Sequence, residues 1–259
     1  YIRKDKKRIF VLIGAVLIDK QKPSPRAMAF YLDITEQKEL DRKKNEFISI
    51  ASHELKTPLT SVKAFTQILM KQFEHNKDKK SLYFLTNINR QLDKLNELVS
   101  DLLDVSKIEE GQLHFENKLF YLDDLIKKVV VDFQYTTKSH MIIKRGETHA
   151  HISGDEHRIG QVVINLISNA IKYSPGSDKV IISFKDTPEK TTVSVQDFGE
   201  GISAGDKTKI FDRFFRSEKH EGSRISGFGL GLYITKEIID KHQGSISVES
   251  VEGKGSTFS

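Results

Sequence analysis

Phe47-Ile48-Ser49-Ile50-Ala51-Ser52-His53-Glu54-Leu55-Lys56-Thr57-Pro58-Leu59-Thr60 is the stretch from which the rest of the chain can be read. Apolar residues fall at Ile48, Ala51, Leu55, Pro58, Val62, Phe65 and Leu69. The steps alternate three and four, which is the seam of a helix packed against other helices. His53 lies two residues from both Ala51 and Leu55, and at 100° per residue that sets it about 200° from the seam. The pattern therefore holds an imidazole on the outer face of a long helix, with the Glu54 carboxylate beside it. Pro58 has no N–H, so the Glu54 carbonyl loses its helical partner, at a cost of roughly 3 kcal/mol. A local rule broken next to an outward histidine points to a functional site. A surface histidine on a bundle helix that a proline kinks is the plainer account, and both fit this stretch.

Outward from it, Thr35 is placed to cap the helix, with Lys38 where a full capping box has an acid. The helix is expected over about Glu36 to Phe73, its charged first part (Glu36–Glu46) an exposed connector. A polar break follows at Glu74–Lys80. A second helix carries Leu85, Ile88, Leu92, Leu95, Val99 and Leu102 in the same alternation. Two long amphipathic helices with a short connection make an antiparallel hairpin. Phe47, Ile50, Leu59, Leu98 and Leu103 widen the apolar stripe beyond one seam. Two hairpins forming a four-helix bundle would cover it, so a homodimer is expected. Upstream, Arg8–Asp19 and Ala27–Ile34 read as two strands around a polar turn with Pro23 and Pro25, a ribbon too small to bury a core alone. From Gln112, after Gly111, the pattern changes. Short strands (Leu113–Phe115, Met141–Ile143, Val180–Phe184, Thr192–Val195, Ser245–Val248) alternate with helices at about Leu122–Thr137, Glu156–Tyr173, Gly205–Asp212 and Gly229–His242. That mixture is an α/β sandwich, one mixed sheet covered by helices.

Charged residues make up 30% and hydrophobic ones 37%, the balance of soluble, helix-rich protein. The net charge of +5 is spread along the chain, so nucleic-acid binding does not follow from it. Without cysteine, disulfides and thiolate chemistry are excluded. The longest apolar run, Ile9–Ile18, is too short to span a bilayer, and no signal-peptide pattern is present. A cytoplasmic location is expected. Because the chain opens on Tyr1 and closes on Ser259 within a strand-like run, it is expected to be a fragment, with membrane attachment only through segments upstream.

Three constellations carry chemistry in the second half. Gln161, Asn165 and Asn169 are four apart and stack on one helix face, with Lys172 and Tyr173 following. Their amides offer neutral oxygens for Mg²⁺ and donors for phosphate, or simply a solvated face. Asp197-Phe-Gly199-Glu-Gly201 sets a carboxylate at a strand end before two glycines, which lets backbone approach a flat ligand. Gly227-Phe228-Gly229-Leu230-Gly231 opens a helix and exposes N–H groups to phosphate. Between the last two lie Ile210-Phe-Asp-Arg-Phe-Phe-Arg216 and a polar loop, Ser217–Ser226, with the composition of a lid. Phe211, Phe214 and Phe215 fit ordinary core packing; Arg216 sits at the loop edge.

In this order and spacing, residues 40–259 resemble the sensor histidine kinases of two-component systems. The stretch around His53 looks like the phosphoacceptor box, Asn165–Tyr173 the N box, Asp197–Gly201 the first G box, Ile210–Arg216 the F box, and Gly227–Gly231 the second G box. Tyr31-Leu-Asp-Ile-Thr-Glu-Gln-Lys38 resembles the end of a PAS sensory domain. The resemblance implies a multidomain α and α/β chain. Residues 1–34 would be the PAS remnant, 35–46 a signalling helix, 47–110 the dimerising phosphotransfer hairpin and 111–259 the ATP-binding domain. It implies that His53 is phosphorylated from ATP, that Glu54 orients the ring and acts as base, and that Thr57 positions water for dephosphorylating a response regulator receiver domain. It further implies Asn169 as the Mg²⁺ ligand with Asn165 in support, and Lys172 and Arg216 neutralising the transferring phosphoryl. Tyr173 would stack on adenine, Asp197 would accept its amino group, and Gly199, Gly201, Gly227, Gly229, Leu230 and Gly231 would shape pocket and lid. Phe228 departs from the small residue usual there, Gln161 stands where some relatives carry an acid, and the chain is expected to stop inside a final strand, leaving a sheet edge incomplete. Another ATPase of the same nucleotide fold, or a catalytically silent dimeric scaffold, are the alternatives.

Overall fold

A computed structural model describes residues 9–17, 27–76, 78–217 and 228–259 of the chain. The chain divides into two compact units, one running to Leu92 with Glu109–Gly111, the other comprising Asp93–Ile108 and Gln112–Ser259.

The first unit begins with an antiparallel ribbon of β1 (Val11–Leu17) and β2 (Ala27–Asp33). Phe10, Ile13, Val16, Met28, Phe30 and Leu32 of this ribbon are all exposed. The Pro23–Pro25 turn lies outside the described residues. Helix α1 (Thr35–His75) is continuous through Pro58. The expected cap differs in detail. The Thr35 N–H donates to Asp33 Oδ1 (2.9 Å), while the Thr35 hydroxyl accepts the Phe10 N–H (2.9 Å). The hydroxyl is engaged by the ribbon, the N-cap position falls on Ile34 with no side-chain cap, and Asp33 before it takes the Thr35 N–H. Around the proline, Thr60 Oγ1 donates to the Lys56 carbonyl (2.8 Å) and Ser61 Oγ to that of Thr57 (3.3 Å), two side-chain bonds where the backbone ladder is interrupted. Asp78 starts α2 (Lys79–Glu109) by accepting the N–H groups of Lys80 and Ser81. Within the single chain the expected seam is largely uncovered: Leu55, Val62, Phe65 and Leu69 are exposed, and among the described side chains of α1 the buried ones are Asn45, Ser52 and Thr66. Gly111, at φ +67°, ends the helical region as expected.

The second unit is an α/β sandwich. A five-stranded sheet runs β4 (Met141–Arg145), β6 (Lys179–Asp186), β7 (Thr191–Gln196), β9 (Gly255–Phe258), β8 (Val248–Val251). Only β4 and β6 are parallel. A two-stranded sheet joins β3 (Lys118–Tyr121) to β5 (His151–Gly154). Helices α3 (Leu122–Thr136), α4 (Glu156–Lys172) and α5 (Gly231–Lys241) bury their apolar faces in one core, with Ile126, Ile167, Ile182 and Ile238 fully enclosed.

Several expectations are corrected. Leu113–Phe115 is not a strand; Phe115 instead packs edge-on to His242, 5.1 Å between centroids. The strands β3 and β5, each only four residues, escape a search for alternation. Ser245–Val248 shifts to β8, three residues later. Gly205–Asp212 forms a run of turns, because its amides alternate between partners three and four residues back and no continuous ladder builds. Helix α5 starts at Gly231, since Gly229 takes φ +71°. The last strand, β9, sits between β7 and β8, pairing with β8 along all four residues and with β7 only through Thr257 and Phe258. Among the described residues no helix is long and apolar enough to cross a membrane.

Candidate functional site

The second unit holds two adjoining cavities, of about 380 and 530 Å³, with Asn169, Tyr173, Phe215 and Arg216 in the walls of both. The smaller contains Asp197 and Gly201; the larger contains Asn165, Lys172, Gly229, Leu230 and Gly231. The residues singled out on three separate stretches therefore converge.

Asp197 ends the strand segment after β7 and is buried. Its Oδ1 accepts the N–H groups of Gly199 (2.9 Å) and Ser256 (3.2 Å). Burial raises its pKa, and those two N–H groups pull it back. With Oδ1 taken, Oδ2 remains to accept from whatever fills the cavity. Gly199 is required by space. A Cβ there would run into the Tyr173 carbonyl oxygen, whose lone pair accepts the Glu200 N–H (3.3 Å).

On α4 the amide face is not simply solvated. Asn165 Nδ2 donates to Thr235 Oγ1 of α5 (2.9 Å), and Asn169 Nδ2 donates to Asn165 Oδ1 (3.4 Å). The relay fixes both amides and leaves Asn169 Oδ1, a neutral oxygen of the kind Mg²⁺ takes, at its end. Gly231 belongs to this arrangement, because a Cβ there would strike Asn165 Oδ1. Gln161 does not. It donates to Asp104 (2.9 Å) and accepts from Arg158 (2.8 Å), while Arg158 also pairs with Asp104 (2.8 Å). The side chain is absorbed in a polar triangle between α4 and the end of α2, and it lines neither cavity.

Lys172 stands over the Tyr173 ring, 5.0 Å from its centroid. Burial, and then the Arg216 guanidinium, hold the ammonium below its ordinary range, while Glu97 opposes them. Burial also pushes the Tyr173 hydroxyl up. Helix α5 opens at Leu230 with no side-chain cap among the described residues, and this first turn lines the larger cavity, where a helix N-terminus favours an anion. The F box is tied to the second G box by Phe214, which takes φ 60° and donates its N–H to the Gly229 carbonyl (3.1 Å). Phe211 and Phe215 pack against the core and Phe214 is exposed, so two of the three aromatics are core residues. Phe228 is exposed at the rim of the larger cavity. Gly227 and the lid loop from residue 218 onward lie outside the described residues.

His53, Glu54 and Thr57 lie on α1 in the first unit, Glu54 and Thr57 exposed. The expected orientation of the His53 side chain falls outside the described residues. The buried neighbour Ser52 has a hydroxyl without a hydrogen-bond partner.

Three contributors were missed. Glu97 and Asp101 of α2 line the larger cavity, and Ser256 supplies an N–H to Asp197. Burial, with the Glu97 and Asp104 charges nearby, pushes the Asp101 carboxyl up to about 7. On a helix rich in charge, the spacing of Glu97, Asp101 and Asp104 is the one signal that these acids share a face.

An α/β sandwich with an acceptor carboxylate, glycine-lined walls and an uncapped helix N-terminus defines a nucleotide-binding domain downstream of a helical hairpin. Residues 154–259 match the family described as histidine kinase-, DNA gyrase B- and HSP90-like ATPases, and residues 43–111 the His Kinase A (phospho-acceptor) domain. The chain belongs to the sensor histidine kinases. It is 34% identical to the sensor histidine kinase WalK of Bacillus subtilis over 235 residues, 89% of this chain and 38% of that protein. It is 33% identical to the WalK sensor protein kinase of Staphylococcus aureus over 229 residues, again 38% of the relative. The chain thus spans under half the length of these relatives. The Acinetobacter baumannii histidine kinase AdeS superposes with a TM-score of 0.55 at 28% identity, covering 80% of this chain and 95% of that one. Full-length ShkA, solved in complex with AMPPNP, shares the fold, with a TM-score of 0.63 at 22% identity over 82% of this chain and 44% of ShkA.

Proposed function

We propose that this chain binds ATP with Mg²⁺ and transfers the γ-phosphoryl group to His53, then to an aspartate on a response regulator receiver domain. The observation that carries the reading is the convergence of an acceptor carboxylate (Asp197), an amide relay ending at Asn169, and two cations (Lys172, Arg216) on connected cavities. Adenine would lie in the smaller cavity, its amino group donating to Asp197 Oδ2 and its face against Tyr173. Gly201 would let the backbone pass close to the base. The phosphates would reach the larger cavity, where Gly229, Leu230 and Gly231 present N–H groups and Lys172 and Arg216 meet the charge. Gly227 is assigned to the same lip from the sequence. Asn169 Oδ1, oriented by Asn165, would hold Mg²⁺; that ion supplies charge neutralisation across the phosphates.

His53 would attack through Nε2. The N–P bond forms as the bond from the γ-phosphorus to the bridging oxygen breaks, and ADP leaves with that electron pair. Glu54, adjoining His53, would hold the Nδ1 proton so that Nε2 keeps its lone pair, and would take up the proton as charge develops on the ring. Thr57, one turn on, would position water when the same helix removes phosphate from the regulator. We assign 47–110 to the phosphotransfer hairpin, 111–259 to the catalytic domain, 35–46 to the signalling helix and 1–34 to the end of a PAS domain. The apolar residues left open on α1 support a homodimer through the hairpins.

Incubation with γ-labelled ATP and Mg²⁺ tests the reading. Label that is acid-labile, alkali-stable and absent from His53→Ala is expected. Label that persists in that variant would overturn it, and nucleotide hydrolysis without any protein label would favour another ATPase of this fold.

A further inference from the structure

His140 is buried, 5% exposed, directly before β4 and on none of the boxes. Its Nε2 lies 3.0 Å from the Ser174 carbonyl oxygen and 3.1 Å from the Ser174 hydroxyl. Its Nδ1 lies 3.0 Å from the Ser139 hydroxyl. A carbonyl can only accept, so the proton sits on Nε2, and Nδ1 is left to accept from Ser139. The backbone that carries the imidazole is itself held from α3. Gln134 Nε2 donates to the His140 carbonyl (3.2 Å), while Gln134 Oε1 accepts the Ile142 N–H (2.9 Å).

The residue it grips stands directly behind the smaller cavity, next in sequence to Tyr173, which lines that cavity. Ser174 is fully buried, follows Tyr173, and its hydroxyl donates to the Ala170 carbonyl at the end of α4. The Ser174 carbonyl also accepts the Ser177 N–H (2.9 Å), which turns the chain away from the helix. Gly199 seats directly on the Tyr173 carbonyl and the Ser174 Cα, with no room for a side chain. A small shift of Ser174 would therefore move both the Tyr173 ring and the first glycine loop.

We propose that His140 is a positioning residue of the nucleotide site: its Nε2–H pins Ser174 and so fixes Tyr173 and the seat of Gly199. The role rests on the reading of this cavity as the adenine site. His140→Leu keeps the apolar volume and loses the donor. His140→Gln restores an amide N–H near the reach of Nε2. In the full chain, titration calorimetry with ADP and Mg²⁺ should show His140→Leu binding about tenfold more weakly, the size of one buried hydrogen bond, and His140→Gln within about threefold of the parent. The KM for ATP in autophosphorylation should rise in parallel, with the rate at saturating ATP changed less than twofold. If His140→Leu does not fold, His140→Asn, whose amide reaches only the Nδ1 position, should weaken binding in the same way. Unchanged ADP affinity in the donor-less variants, or His140→Gln no better than His140→Leu, would overturn the proposal. A parent chain that binds no adenine nucleotide would overturn the nucleotide reading and this role with it.

Discussion

Asp101→Asn isolates one carboxyl whose environment is costly. Burial first, then the Glu97 and Asp104 charges, raise the Asp101 pKa from 3.8 to about 7. The folded chain therefore keeps a proton that the unfolded chain has released across that interval. Stability must fall as pH rises from about 4 to about 7, with the whole penalty present above it. Three pH units correspond to a ceiling of ~4 kcal/mol, and solvent screening of this partly exposed group brings it to about 1–2 kcal/mol. Asparagine removes the titration while keeping the shape. Urea unfolding of both proteins at about pH 5.5 and about pH 8.5 reads the effect as a difference of differences, in which other groups cancel. About half the penalty falls in that window, so the parent should lose about 0.5–1 kcal/mol more than Asp101→Asn on going to the higher pH. Parallel pH dependence in the two proteins would refute the reasoning, because it would mean that Asp101 ionises in the folded chain as readily as in the unfolded one.

Gly199→Ala should lower the melting temperature through a clash with the Tyr173 carbonyl, at roughly 1–3 kcal/mol, and weaken ADP binding at least tenfold by calorimetry. Thr57→Ala should leave labelling of His53 within about twofold and slow release of phosphate from the receiver domain; the structure uses the Thr57 carbonyl, which accepts from Ser61, and not its hydroxyl, to support the helix. Equal loss of both activities, followed with labelled protein, would assign the hydroxyl to the helix.

What was legible in the sequence was whatever has a long period. The hairpin shows in the three-four alternation around Leu55 and Leu92, and α4 in the apolar run from Ile159 to Ala170, all of which the structure buries on one face or sets on one stripe. The placement of Asp197, Asn169 and the glycines near one another follows from their boxes. Short elements were not legible. The strands β3 and β5 hold by pairing with each other across about thirty residues, which no local pattern records. Gly205–Asp212 has helical composition without enough length to pay for a nucleus, and the Ser203 hydroxyl just before it competes with the Ser203 carbonyl for the Asp206 N–H. Gln161 looked like a member of the phosphate face by spacing alone, and only the arrival of Asp104 from α2 turns it into a bridge.

The join between ribbon and helix has a mechanical consequence. Ile34 donates its N–H to the Phe10 carbonyl, and Phe10 donates its own to the Thr35 hydroxyl, so β1 grips the first turn of α1 by a pair of opposed bonds. A 41-residue helix is a lever ~60 Å long. A tilt of about 10° at that grip would carry the far end through about 10 Å, unless the helix yields along the way. The weakest rung is at Pro58, five residues beyond His53, where one backbone bond is missing. Stiffness upstream and compliance at that rung would concentrate any displacement of the ribbon into the turn that follows His53.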